Sequence, residues 1–272
     1  IFSSILFISG IKMLGKEDTA VKGNFLSASA MLIAVAVTVI NVVNPVIVLI
    51  GVSIGAVIGS LIALRVKMTS IPEMVALFNG FGGLATFFIA WSEFNAIPDN
   101  VFQFIVIMLT TYIGGVTFSG SIIAYGKLSE KLKVKKDSFV TKIFTTFFYA
   151  SILFLVYSIG FTEIIELPIN FYTVLLILTL LGGIGFVIPI GGGDMPVVIS
   201  LLNSFSGIAA AFAGLLLLNN VLIVAGSLVG ASGLILTIIM AKAMNRSIGN
   251  ILFVGYASSS SSSGSQETGE VK

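Results

Sequence analysis

Nine apolar segments follow one another along this chain of 272 residues, and only short charged or turn-forming clusters separate them. A helix crosses the hydrocarbon core of a bilayer with about 20 apolar residues, whereas barrel strands alternate apolar and polar residues over about ten positions. The segments here are continuous, and only the first is short for a span. The pattern predicts an all-α polytopic membrane protein with nine transmembrane helices, at residues 1–14, 23–41, 46–64, 71–92, 101–126, 140–161, 171–190, 196–218 and 220–243.

The composition excludes several classes of protein. Hydrophobic residues make up 57% of the chain and charged residues 10%, against about 25% charged residues in a soluble domain. Soluble globular and disordered proteins are therefore excluded, and a net charge of +2 is too small to indicate a nucleic-acid partner. The chain contains no Cys and no His. Without these residues or a catalytic pair of carboxylates, we expect no catalytic residue, no metal site and no bound cofactor within this segment.

The basic residues indicate how the predicted helices are oriented. With nine spans, all 14 Lys and Arg residues fall on one side of the membrane: between spans one and two, three and four, and five and six, and after span nine. The opposite side carries only the acidic residues Glu93, Asp99, Glu163 and Glu166. Because cytoplasmic loops are enriched in Lys and Arg, we predict an outside N-terminus and a cytoplasmic C-terminus.

Two of the spans contain a matched motif. Residues 79–85 and 203–209 both read Asn-small-Phe-small-Gly-aliphatic-Ala, and each copy begins seven residues after a Pro. Asn79 and Asn203 would therefore lie at equal depth, about 10 Å from the start of their helices. Matched polar segments in two halves of a membrane protein point to a transport pathway. The alternative is that Asn and the small residues only join neighbouring helices.

Asp194 is the ionisable residue nearest to the interior of a span, and it directly follows three glycines at residues 191–193. An ionisable group at this depth is a functional candidate, and flexible glycines beside it would suit a gate. Asp194 also precedes Met195 and Pro196, which is the position of a helix N-cap. The sequence leaves both interpretations open. The glycines do not form a dinucleotide-binding fingerprint, because the G-x-G-x-x-G spacing and a preceding strand are missing.

The last residues differ in composition from the rest of the chain. Residues 257–272 contain a run of Ser followed by Gly, Gln, Glu and Thr, with no apolar periodicity. This composition is typical of a flexible linker, so we divide the chain into a membrane domain at 1–256 and a linker at 257–272. A cytoplasmic linker would lead to a further domain, and a frayed natural terminus or a vector-derived tail is the alternative.

Four separated motifs resemble, in the right order, the beta subunit of proton-translocating NAD(P) transhydrogenases. They are residues 72–80 (PEMVALFNG), 119–128 (SGSIIAYGKL), 192–200 (GGDMPVVIS) and 242–247 (KAMNRS). The resemblance covers essentially the whole membrane region and includes the nine-span count. It implies part of an enzyme complex of the bacterial inner membrane that couples hydride transfer from NADH to NADP+ to inward proton translocation. The segment would have no hydride-transfer site of its own.

The resemblance also implies roles for individual residues. The polar proton pathway of the family corresponds to Asn79, Ser121 and Asn203. Many members carry a His at the position of Asn79. Because Asn does not titrate near neutral pH, a His on a helix of the alpha subunit is the expected proton carrier.

Gating and coupling residues follow from the same resemblance. The acidic residue of the family corresponds to Asp194, and the hinge toward an NADP(H)-binding domain corresponds to Asn245, Arg246 and Ser247. That domain would follow the linker, and NAD(H) would bind to the alpha subunit. The implied partners are therefore the alpha subunit, the chain's own C-terminal NADP(H)-binding domain, the lipid bilayer, protons and a second copy of the assembled complex.

A secondary transporter that binds a small solute between the repeated helices is the alternative function. The reading frame beyond Lys272 distinguishes the two functions. A Rossmann-type domain would favour the transhydrogenase, and a stop codon would favour the transporter.

Overall fold

The computed structural model describes residues 2–40, 44–96, 98, 100–134, 138–160 and 169–257. These residues form α-helices joined by short turns and contain no strand, so the all-α prediction is confirmed for the described part of the chain. The helices are α1 (Phe2–Leu14), α2 (Glu17–Ile40), α3 (Pro45–Arg65), α4 (Ile71–Asn95), α5 (Val101–Leu128), α6 (Phe139–Gly160), α7 (Ile169–Val187), α8 (Met195–Leu216), α9 (Asn220–Ala243) and α10 (Ile248–Ala257). The 3₁₀ turns Met68–Ser70 and Gly192–Asp194 lead directly into α4 and α8.

Each predicted span overlaps one of the helices α1 to α9, but these helices differ in length. Seven of them, α2 to α6, α8 and α9, are long and apolar enough to cross a membrane. α1 has 13 residues, which extend over only about 20 Å, and the apolar part of α7, Phe171–Val187, is also shorter than a span. Among the described residues, the protein is thus a multi-pass membrane protein with seven helices of spanning length.

One helix lies beyond the predicted spans. α10 begins just after the hinge residues, and Ile251 on this helix is 4% exposed and belongs to an apolar cluster that includes Val197 and Val198 of α8. α10 therefore packs back onto the bundle. The predicted linker overlaps α10 only at Ala257, and residues 258–272 lie outside the described residues. The predictions at Asp99, Glu163 and Glu166 also lie outside them.

Polar residues and prolines in the sequence explain where several helices begin. Oδ1 of Asn100 accepts a hydrogen bond from the backbone N–H of Gln103 at the start of α5, over 2.9 Å. Asn219 caps α9 in the same way, and a Pro lies in the first turn of α3, α4 and α8. These groups suit positions where backbone N–H groups have no partner within the helix.

The core of the bundle lies in α4, α5, α7 and α8. α5 and α8 are the most buried helices of spanning length, whereas no residue of α3 is buried. One buried apolar cluster surrounds Val187, Met195 and Leu202, and a second surrounds Ile107 and Tyr172. α2 and α3 expose apolar side chains, as helices that face lipid or another protein do.

Glycines allow α4 and α5 to approach closely. A Cβ atom at Gly83 would lie 2.9 Å from the carbonyl oxygen of Gly114, which is closer than a real methyl group can come. One turn away, a Cβ atom at Gly80 would lie 3.1 Å from Cβ of Ser121. Small residues at helix contacts are typical of membrane bundles. In this protein they bring the polar side chains of α4 and α5 within hydrogen-bond distance.

Candidate functional site

A polar cluster joins α4, α5 and α8 through the side chain of Asn79. Nδ2 of Asn79 donates to Oγ of Ser121 on α5 over 3.0 Å, and Oδ1 of Asn79 accepts from the hydroxyl of Ser206 on α8 over 2.7 Å. Ser121 is 1% exposed, and Asn79 and Ser206 are half-buried. The structure therefore brings two of the predicted pathway residues into direct contact, while their role in proton transfer stays a prediction.

Ser206 is a member of this cluster that the sequence interpretation did not single out. It is the second small residue of the motif at 203–209, and the first copy of the motif has Gly82 at the equivalent position. The repeat therefore offered a hydroxyl at this position, but it did not show that Ser206 faces Asn79. The bond between Ser206 and Asn79 also shows that the two copies of the repeat contact each other directly.

Asn203 takes part in the cluster through its backbone. Its carbonyl oxygen accepts a hydrogen bond from the Ser206 hydroxyl over 2.8 Å. The half-buried side chain of Asn203 makes no hydrogen bond within the described residues. The two Asn residues of the repeat are therefore not equivalent. The Asn79 amide is hydrogen-bonded to side chains of α5 and α8, whereas the Asn203 amide has no such bond within the described residues.

The cluster consists of neutral groups that donate and accept hydrogen bonds. The Ser206 hydroxyl has one proton and two acceptors in reach, the Asn79 amide oxygen and the Asn203 carbonyl. A hydroxyl donates only one hydrogen bond, so the Ser206 O–H group can donate fully either to Asn79 or to the Asn203 carbonyl, and only the first of these bonds joins α8 to α4. In the part of the chain that the structure describes, no group of three or more His, Cys, Asp or Glu side chains could hold a metal ion.

The cluster lies between the two apolar clusters of the core. Along α4, Ala76 belongs to the first apolar cluster and Ala90 to the second, and Asn79 lies between them. Ser121 occupies the same place on α5, between Ala124 and Met108. The polar residues therefore have apolar layers on both sides along the helix axes.

Asp194 forms an ion pair with Arg246, which lies in the turn after α9. The Arg246 Nη1 atom is 3.1 Å from Oδ2 of Asp194, and the side chains are 50% and 16% exposed, respectively. Asp194 occupies the N-cap position of α8 but makes no capping hydrogen bond with its side chain. The carboxylate therefore joins the start of α8 to the turn after α9, while its role in coupling stays a prediction.

The three predicted hinge residues form the turn between α9 and α10. Asn245 has a φ of 54°, and the N–H groups of Asn245 and Arg246 donate to the carbonyls of Lys242 and Ala241. These two bonds form a Schellman motif, in which Asn is tolerated in the left-handed conformation. Oγ of Ser247 accepts from the N–H of Asn250 over 3.1 Å and caps α10. The turn thus fixes the backbone of Arg246 at the end of α9.

The chain is similar to known proteins of one family. A family model for the NAD(P) transhydrogenase beta subunit matches residues 1–272. Two curated relatives, both named NAD(P) transhydrogenase subunit beta and both from Rhodospirillum rubrum, are each 36% identical over 270 residues. The match covers 95% of this chain and 57% of each relative, so the chain spans little more than half of their length. The chain belongs to the NAD(P) transhydrogenase beta subunit family.

Proposed function

We propose that this chain is the membrane domain of a proton-translocating NAD(P) transhydrogenase, which couples hydride transfer from NADH to NADP+ to inward proton translocation. The polar cluster around Asn79 is the observation that carries the proposal. Unpaired amides and hydroxyls in hydrocarbon cost several kcal/mol each, and here an amide and two hydroxyls on three helices bond to one another. Such a group is suited to line an internal path for protons.

The proposed path uses hydroxyl and amide groups as a relay, with Ser121, Asn79 and Ser206 in contact and the Asn203 amide beside them. Since none of these groups titrates near neutral pH, a His on a helix of the alpha subunit supplies the proton carrier. Water bridges the carrier to the cluster. The apolar layers on both sides of the cluster keep the path closed until the helices move.

Coupling to the nucleotides runs through the ion pair of Asp194 and Arg246. The chain continues from Arg246 through α10 to residues 257–272, which we propose as the linker to an NADP(H)-binding domain. A change in that domain would pull on the turn after α9 and thereby on Asp194 at the start of α8. Because α8 carries Ser206 and Asn203, this movement would reach the polar cluster.

The proposed topology has nine spans, with α1 and α7 crossing the bilayer together with the seven longer helices. All basic residues then lie on the cytoplasmic side, with the N-terminus outside and the C-terminus inside. Residues 1–256 form the membrane domain. The partners are the alpha subunit, which binds NAD(H), and a second copy of the complex, in a bacterial inner membrane. The transporter alternative gains no support, because the transhydrogenase family model covers the whole chain.

The proposal is tested with Asn79→Leu in the complete complex, reconstituted in proteoliposomes. Two rates are measured: proton-coupled transhydrogenation, and direct hydride exchange between bound nucleotides. We expect the coupled rate to fall about tenfold or more, which corresponds to about 1.4 kcal/mol of barrier, while hydride exchange persists. Asn79→His should retain coupled activity, because it restores the commoner arrangement of the family.

Asn24→Leu is the matched control, because it removes the same amide from an exposed position on α2. This control should keep the coupled rate. The proposed function is wrong if Asn79→Leu behaves like Asn24→Leu, or if the unmodified complex performs hydride transfer without moving protons.

A further inference from the structure

Lys127, at the end of α5, binds the carbonyl end of another helix. Its Nζ atom lies 3.2 Å from the carbonyl oxygen of Val187, 2.5 Å from that of Ile188 and 2.6 Å from that of Ile190. An ammonium group has three N–H donors and no acceptor, so these three contacts account for all of them. The side chain is half-buried, and no carboxylate among the described residues pairs with it.

The three acceptors lie where α7 ends. The last carbonyls of a helix have no partner within the helix, and a positive charge is favourable at this end of the helix dipole. A Lys on the same helix often caps these carbonyls. Here the Lys comes from α5, about 60 residues earlier in the chain. The Lys127 ammonium therefore links α5 to the C-terminal end of α7.

This point is connected to both parts of the candidate site. Ile190 directly precedes the glycines at 191–193 and Asp194, which pairs with Arg246. The junction between α7 and α8 is thus held on one side by Lys127 and on the other by Arg246. On α5, Ser121 lies six residues before Lys127, about 9 Å along the helix axis. The same helix therefore carries a contact to the junction and a contact to the polar cluster.

We propose that Lys127 is a positioning residue that transmits movement of the α7–α8 junction to the polar cluster. Movement of Asp194 changes the position of the carbonyls at the end of α7. Those carbonyls hold the Lys127 ammonium, so α5 shifts and with it the Ser121 hydroxyl that accepts from Asn79. The inference rests on the proposed function, because the movement it transmits is the one that couples nucleotide binding to proton transfer.

The test combines a measurement of function with one of junction mobility. In the complete complex, Lys127→Met removes the ammonium and keeps an unbranched apolar chain. Lys131→Met is the matched control, because Lys131 is an exposed Lys close by in the chain that contacts the Tyr125 ring and not α7. Proton-coupled transhydrogenation and direct hydride exchange are measured as a ratio, because a general loss of stability lowers both rates together.

A spin label reports on the junction independently of enzyme activity. Gly192→Cys accepts a label without strain, because a Cβ atom there meets nothing within 4 Å, and this chain has no other Cys. Cysteines elsewhere in the complex are replaced first. We expect Lys127→Met to sharpen the spectrum of the label and to lower the coupled-to-exchange ratio about tenfold. Lys131→Met should leave both measurements unchanged, and Lys127→Arg, which keeps the charge, should restore part of the ratio.

The two measurements together decide whether Lys127 transmits movement. If Lys127→Met lowers the ratio without mobilising the label, or mobilises the label without lowering the ratio, Lys127 does not transmit movement and the inference is wrong. It is also wrong if Lys127→Met and Lys131→Met behave alike. If Lys127→Met does not assemble, Lys127→Arg and Lys127→Gln are judged by the same two measurements. A failure of the proposed function is seen separately, as unmodified complex that transfers hydride without moving protons.

Discussion

A double-mutant cycle across the ion pair of Asp194 and Arg246 measures how much this contact contributes to coupling. The variants are Asp194→Asn, Arg246→Gln and the two together. Exposed ion pairs contribute about 0.2–1 kcal/mol. The Arg246 side chain is 50% exposed and that of Asp194 is 16% exposed, so the value should lie near the upper end, at about 1 kcal/mol. Since a tenfold effect corresponds to about 1.4 kcal/mol, we expect an interaction of about fivefold in rate.

The assay is proton-coupled transhydrogenation by the complete complex in proteoliposomes, with the release rate of NADP(H) measured in parallel. Each single variant should slow coupled turnover and disturb NADP(H) release, whereas direct hydride exchange between bound nucleotides should continue. The double variant should be about fivefold more active than the product of the two single effects predicts. Higher ionic strength should reduce this interaction, because salt screens a partly exposed pair.

Two results would refute the reasoning. If the effects of the single variants multiply, the ion pair has no energetic role in coupling, even though its atoms are 3.1 Å apart. If Asp194→Asn leaves coupled turnover unchanged, Asp194 has only a local role at the start of α8.

Three further predictions follow from packing, from the repeat and from topology. Gly83→Ala should lower the thermal stability of the complex, because its methyl group would lie 2.9 Å from a backbone carbonyl oxygen of α5. Gly82→Ala is the control: a methyl group there meets nothing within 4 Å, so stability should stay unchanged or rise. Asn203→Leu should slow coupled turnover more than a similar change at a lipid-facing Ile; equal effects would exclude Asn203 from the path. A Cys that replaces Lys133 should react only with a reagent on the cytoplasmic side, and a Cys that replaces Asp99 only with a reagent outside. Labelling of both positions from the same side would contradict the nine-span topology.

The helices could be predicted from the sequence because the bilayer imposes a simple requirement. Backbone groups in hydrocarbon must be paired within the segment, so a continuous apolar run becomes a helix. Asn100 and Asn219 cap the helices that follow them, and Asn is a typical N-cap residue, so the residue types at these helix starts agree with the structure. α10 was missed because its ten residues are too few for a span, although Ser247 is a typical N-cap residue placed directly before it.

Contacts between helices could not be predicted to the same extent. The repeat and the resemblance identified Asn79 and Ser121 but not their partner Ser206, since a one-dimensional pattern does not show which face of α8 meets α4. In the sequence, Lys127 was one of the charges on the cytoplasmic side and part of the motif at 119–128, and neither observation indicated its partner. Its acceptors are backbone carbonyls, which every residue has, and so no sequence pattern marks them. Only the packing of α5 against α7 shows that this Lys has a specific partner.

From the distribution of charge, we expect that the chain alone does not conduct protons. The polar cluster consists of amides and hydroxyls, whereas the charged contacts around the α7–α8 junction are those of Lys127, Asp194 and Arg246. A proton placed on the cluster would bring a positive charge between two apolar layers, and burying an unpaired charge costs several kcal/mol or more. We therefore expect a proton to cross only when a titratable group is next to the proposed relay. In the proposed complex that group belongs to the alpha subunit, so we expect proton transfer only after the two subunits have assembled.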